Sequence, residues 1–190
     1  MAVKIIGGTY RGMAMTSVKG AKTRPTATRT REALFSILES AAAIQADTRA
    51  IDICAGTGAL GLECLSRSDV AAGAFCLFIE QSKAACAVIS HNIATLALEN
   101  ATQIMRRDAA TLSKKPNTIA PFTLALIDPP YGKNIGAAAL QGLVKGGWLE
   151  AGSMVVLEDD KRTPIPILPA YILRDERIYS DTRLLFYETK

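Results

Sequence analysis

Ile51-Asp52-Ile53-Cys54-Ala55-Gly56-Thr57-Gly58-Ala59-Leu60-Gly61 reads as a short apolar strand, a glycine loop and the opening turn of a helix. Glycine tolerates sharp turns and lets a ligand come close to the backbone. In an open parallel sheet, ligands bind beyond the carboxyl ends of the strands. The loop therefore marks a site for a nucleoside-bearing cofactor, and Asp52 at the strand end can accept from a cationic amino group. The same letters satisfy the dinucleotide pattern through Gly56, Gly58 and Gly61, so the loop alone does not choose between cofactors.

Outward from this loop, strands and helices alternate. Helix is expected over 58–66, strand over 74–79, helix over 82–96 and strand over 101–105. A further strand over 122–127, a helix over 137–145 and a strand over 153–157 continue the series. This order predicts an α/β fold with a mostly parallel sheet covered on both faces, whose strands read as continuous apolar runs. The end differs: the runs 171–178 and 183–188 flank a short Ser180-Asp181 turn and leave no room for a helix. They should pair antiparallel at one edge of the sheet. Before the first strand of the series, 3–6 and 13–16 suggest a small hairpin. Thr28 is the expected cap of a helix running to about Ala43.

The later strand ends carry polar groups suited to a nucleoside. Glu80, 24 residues after Gly56, can take both ribose hydroxyls with its two oxygens, and Gln81 follows it. After the next strand, Asp108 can accept from an adenine amino group, and Ala109 leaves room for the ring. NAD and S-adenosylmethionine (AdoMet) share these parts. The stretch Leu124-Ala125-Leu126-Ile127-Asp128-Pro129-Pro130-Tyr131 points to the chemistry. Two prolines lack amide donors and fix φ, making a rigid corner rich in acceptors. Asp128 and a backbone carbonyl would accept from an exocyclic amine, and Tyr131 offers a stacking face for its base.

Composition sets the outer limits. The chain has 190 residues, enough for a single domain, with 49% hydrophobic and 21% charged residues. Its longest apolar stretch, 70–79, is about half a membrane span, and no apolar leader opens the chain. A cytoplasmic protein is expected. Cys54, Cys64, Cys76 and Cys86 form no close pair and read as reduced core residues, and one histidine, His91, makes no metal cluster. The charge is uneven. Residues 1–40 hold seven basic side chains against two acids, a net +5, while the remaining 150 hold 15 basic and 16 acidic. A basic arm of this kind, here residues 1–45, suits a polyanion.

With its glycine loop, its acids at 80 and 108 and its Asp-Pro-Pro-Tyr corner, the chain resembles the Rossmann-like class I AdoMet-dependent methyltransferases that act on amines. That resemblance implies a seven-stranded sheet with one strand inserted antiparallel. It assigns Ala55, Gly56, Thr57 and Gly58 to the methionine part of AdoMet, Glu80 to its ribose and Asp108 to its adenine. More specifically, Ile5-Ile6-Gly7-Gly8-Thr9-Tyr10-Arg11-Gly12, Arg24-Pro25-Thr26 and Arg31-Glu32-Ala33-Leu34-Phe35 resemble the N-terminal signature of bacterial 16S rRNA guanine-N2 methyltransferases of the RsmD type. The likeness spans nearly the whole chain. It implies a guanine in 16S rRNA as target, on an assembled or assembling 30S particle, with Arg11, Arg24, Thr26, Arg29 and Arg31 toward RNA. A monomer without metal is expected. The residues also leave other readings open: methylation of adenine N6 or cytosine N4 in DNA, methylation of a glutamine amide, an NAD-dependent oxidoreductase, or a non-catalytic RNA-binding protein. Against the oxidoreductase, no Tyr-x-x-x-Lys pair is present and the Asp-Pro-Pro-Tyr corner would be idle.

Overall fold

A seven-stranded sheet forms the body of the protein in a computed structural model that describes residues 3–17, 25–130 and 134–190, the side chains of residues 25–27 excepted. In chain order its strands are β3 (Arg49–Ile53), β4 (Phe75–Ile79), β5 (Thr102–Met105), β6 (Phe122–Ile127), β7 (Leu149–Asp160), β8 (Tyr171–Tyr179) and β9 (Thr182–Thr189). They lie side by side in the order β5-β4-β3-β6-β7-β9-β8. The first five run parallel, and β9 enters antiparallel between β7 and β8. The reversal of strand order at β3 and β6 opens the crevice in which doubly wound sheets bind ligands.

Alternation along β3 shows why both faces are covered. Ile51 and Ile53 pack on one side with α4 (Ile135–Lys145), through Ala139, Leu140 and Leu143. Ala50 packs on the other side, where α1 (Pro25–Ser40), α2 (Ala59–Arg67) and α3 (Lys83–Thr95) place Phe35, Leu62 and Ile89. With both faces buried, the strand has no polar stripe to show, hence the unbroken apolar runs. None of the described helices is long and apolar enough to cross a membrane. The four cysteines are free, two of them buried, and burial pushes the Cys64 thiol up to about 12.

Ahead of the sheet, β1 (Val3–Lys4) and β2 (Ala14–Met15) form a two-stranded hairpin. It is shorter than expected because Ile6 and Gly7 give their amides to the carboxylate of Glu63, at 2.8 and 2.7 Å, rather than to a partner strand. At the turn, Thr9 N donates to Ser66 O at 2.7 Å. Gly8, at φ +74, passes so close that a Cβ would lie 1.7 Å from that carbonyl oxygen. The hairpin is thus seated on the end of α2, and its Ile5 and Met15 join the core of α1 to α3.

Three expected boundaries are corrected. Helix α1 starts at Pro25, not after a Thr28 cap. Proline suits the first turn because its missing amide has no helical acceptor there. The helix stops at Ser40, short of Ala43, and Ala42 turns to a positive φ of 53. Strand β7 extends well beyond 153–157. Its added end, Glu158-Asp159-Asp160, is acidic but pairs with Leu184, Arg183 and Thr182 of β9. An apolar-run criterion misses a strand that continues into charged residues under sheet pairing.

Candidate active site

The glycine loop leaves β3 with Cys54 at φ 63, Gly56 at φ 57 and Gly58 at φ 78, three left-handed residues that reverse the chain into α2. Gly58 N donates to Ala55 O at 2.7 Å, closing the turn. Gly61 has a different reason to be small: its Cβ would lie 2.4 Å from Phe78 and 2.6 Å from the Cys76 sulfur. The third glycine of the pattern therefore serves helix-to-sheet packing, not a ligand.

Asp52 lies behind the loop. It is 1% exposed, and its carboxylate accepts from Gly61 N at 2.9 Å. Burial raises its pKa to about 7; the Gly61 hydrogen bond opposes the rise and the charge of Glu80 adds to it. Glu80 reaches across from the end of β4. One oxygen accepts from Gly56 N at 3.0 Å and the other from Ser82 N at 2.8 Å. Each carboxylate oxygen retains a second lone pair, so Glu80 shapes the loop and can still accept from a ligand. Beyond β5, Asp108 accepts from Ala110 N at 2.9 Å, and Ala109 is buried.

Glu80, Gln81, Asp108, Ala109 and Pro130 line one cavity of about 210 Å³. Of the residues expected to hold the cofactor, the last four in sequence thus share one wall, while Asp52, Ala55, Gly56, Thr57 and Gly58 build the loop beside it. A second cavity, about 550 Å³, lies between the Pro129-Pro130 corner and the far end of β7, with Asp159, Asp160, Arg162 and Thr163 on its outer wall. The two cavities share Pro130 and Ile135.

Asp128 stands at the mouth, directly after β6, with its amide donating to Ile53 O at 3.2 Å. Desolvation beside the corner lifts its carboxyl well above the usual carboxylate range, and the charges of Glu158 and Asp52 push the same way. Water still reaches the side chain, which tempers the rise. The pairing of Ile127 with Leu157 brings Glu158 alongside, one residue further along each strand. Pro129 is buried, Pro130 is exposed, and Tyr131 lies outside the described residues.

The arginines expected at RNA separate. Arg11, at the hairpin turn, and Arg29, on α1, are exposed. Arg24 and the side chain of Thr26 lie outside the described residues. Arg31 departs from expectation: it is buried, donates to Lys4 O at 2.6 Å and lies 3.9 Å from Glu63. Burial pulls its guanidinium below its ordinary value, against the pull of the Glu63 charge. A guanidinium held between α1, α2 and β1 is a brace for the hairpin and does not face a phosphate.

Sequence reading passed over Glu63, Asn92 and Glu158. Glu63 and Asn92 look like ordinary polar positions on helices, and only the packed hairpin reveals their partners. Glu158 had a faint signal, as the first charge after an apolar run at a strand mouth. No group of metal-binding side chains occurs among the described residues.

Residues 3–188 match the model of a family described as Conserved hypothetical protein 95. The chain is 32% identical over 187 residues to the ribosomal RNA small subunit methyltransferase D of Escherichia coli, covering 98% of this chain and 89% of that protein. Against the enzyme of the same name from Haemophilus influenzae it is 27% identical, covering 86% and 81%. Among solved structures, Escherichia coli yhhF superposes with a TM-score of 0.82 at 28% identity, over 100% of this chain and 99% of that one. A hypothetical protein of a Thermus species gives 0.73 at 27%, over 98% and 99%.

Proposed function

Because this chain belongs to the Conserved hypothetical protein 95 family, whose relatives include the small-subunit rRNA methyltransferases D, we propose that it methylates the exocyclic N2 amine of a guanine in 16S rRNA. The chain is a methyltransferase, and AdoMet is its methyl donor. The observation that carries the finer reading is the meeting of two cavities at Pro130, one walled by carboxylates suited to a nucleoside and the other opening at the Pro129-Pro130 corner that directly follows Asp128.

The donor set fits AdoMet. Glu80 keeps free lone pairs for ribose hydroxyls, Asp108 has a second oxygen for an adenine amine, and Ala109 leaves that wall flat. When bound, AdoMet supplies a methyl group on a cationic sulfur. The chain's own work is to hold the amine. Guanine N2 is a poor nucleophile because its lone pair is delocalised into the ring. Asp128 and a carbonyl of the proline corner accept hydrogen bonds from its two N–H groups, which favours the geometry of an attacking nitrogen. The amine must lose one proton as it gains the methyl. Asp128, raised in pKa by its surroundings, is the base placed to take it. Tyr131 stacks on a base drawn out of its RNA neighbours. Arg11, Arg24 and Arg29 hold phosphates, which makes binding salt-dependent. The preferred substrate is the 30S particle or an assembly intermediate.

The test is transfer of labelled methyl from AdoMet to 30S subunits lacking the modification, to naked 16S rRNA and to duplex DNA, with the labelled nucleoside identified by mass. The expected product is N2-methylguanosine from RNA or 30S subunits. Label confined to DNA, or to a different nucleoside, overturns the substrate assignment.

A further inference from the structure

Asn92 sits on the inner side of α3 with 1% of its surface exposed. Its amide oxygen accepts from Thr16 N at 2.7 Å, and its amide nitrogen donates to Thr16 O at 3.1 Å and to Thr57 O at 2.9 Å. Thr16 follows β2 directly and so belongs to the hairpin whose turn carries the exposed Arg11. Thr57 is the centre of the glycine loop, between Gly56, whose amide is held by Glu80, and Gly58. A single buried side chain thus joins the backbone of the basic N-terminal segment to the backbone of the cofactor loop. Asparagine suits this place chemically, since it offers one acceptor and two donors, and all are used. Aspartate has the same shape but cannot donate, and it would face two carbonyl oxygens with nothing to give them.

We infer that Asn92 is a positioning residue through which the RNA-binding segment and the cofactor loop support each other, so that RNA and AdoMet each tighten the other's binding. The inference rests on the proposed RNA substrate. RNA held at Arg11 and Arg29 restrains the hairpin and with it Thr16, and Asn92 passes that restraint to the Thr57 carbonyl. A loop already restrained loses less freedom when the cofactor binds. By linkage the effect is reciprocal: AdoMet must tighten RNA by the same factor that RNA tightens AdoMet. Glu63 seats the other side of the hairpin on α2, so the hairpin is held to both α2 and α3.

The experiment measures the affinity of S-adenosylhomocysteine, a cofactor analogue without the methyl, with and without saturating 30S subunits that lack the modification. In the wild type, the subunits should tighten it by about fivefold or more, within the usual range of coupling between sites. Asn92→Asp and Asn92→Ala should bring that ratio below about twofold, while Ser90→Ala, on the exposed side of α3, keeps it. The ratio is taken within one variant, so loss of stability does not imitate the effect, and the wild-type ratio tests the idea even where a variant does not fold. Subunits that bind the wild type without tightening the analogue overturn the inference and leave the proposed function standing. A full ratio in folded Asn92→Asp also overturns it. Failure of the wild type to bind subunits at all removes both readings together.

Discussion

Replacing Glu63 by alanine should unseat the N-terminal hairpin. Glu63 has no exposed surface, and its carboxylate holds Ile6 N, Gly7 N and Arg67 Nε at 2.7–3.0 Å, with Arg31 at 3.9 Å. The substitution leaves two backbone amides without acceptors and two largely buried guanidiniums without their shared counter-charge. Breaking a buried ion pair from one side costs about 3–5 kcal/mol, because the surviving charge stays buried. For a chain of this size, each kcal/mol shifts Tm by about 2–4 °C, so the drop should be on the order of 6–20 °C. Glu63→Gln keeps the shape and one acceptor but turns an NH2 toward the second amide, so a loss of about 1–3 kcal/mol is expected. The assay is denaturant unfolding together with hydrogen exchange at Ile6 and Gly7. Those amides should lose protection before the strands of the sheet do. If both variants unfold within about 1 kcal/mol of the wild type, the idea that this carboxylate seats the hairpin is wrong.

The other predictions concern chemistry and packing. Asp128→Asn should lower the rate of transfer by about 10²–10⁴-fold while S-adenosylhomocysteine binds as before; near-normal turnover would remove Asp128 as the proton acceptor. Since the pKa of Asp128 is raised, its deprotonation moves above the pH where an ordinary carboxylate titrates, and kcat/KM should climb with pH above that ordinary range. Glu158→Gln removes one of the charges that push the pKa up, and the climb should move to lower pH; a midpoint that stays in place argues against contact between the two carboxyls. Gly61→Ala should cost about 1–3 kcal/mol in denaturant unfolding, because the new methyl lies 2.4 Å from Phe78. A silent substitution there would mean that α2 can move off β4 freely. Replacing Arg11 and Arg29 together by alanine should flatten the salt dependence of RNA binding by about two phosphate contacts, and an unchanged slope would place the RNA elsewhere.

Much of the architecture was legible because local pattern and burial agree. The apolar runs at 50–54, 74–79 and 122–127 could only be strands covered on both faces, and the helices between them required parallel pairing. The glycine loop, Glu80 and Asp108 each stand at a strand end, a position that chain order alone assigns. The Asp-Pro-Pro corner was visible because two prolines after an apolar strand leave few other conformations. These features depend on neighbours in sequence or on the simple rule that buried faces must be apolar.

Contacts between distant segments were not available to that reading. Arg31 looked like one of several arginines in a basic arm, yet folding surrounds it with Lys4 and Glu63 and makes it a brace. Glu63 and Asn92 occupy ordinary helical positions, and their meaning appears only when backbone 57 and 76 residues away packs against them. Glu158 becomes a neighbour of Asp128 through strand register, which sequence period does not set. The sequence by itself determined the order of the elements and which residues stand at the strand ends along the crevice, since strand ends and glycine turns are local. Only the tertiary structure decided which charges face solvent and which are held inside, because a polar group's partner is whatever the fold brings to it.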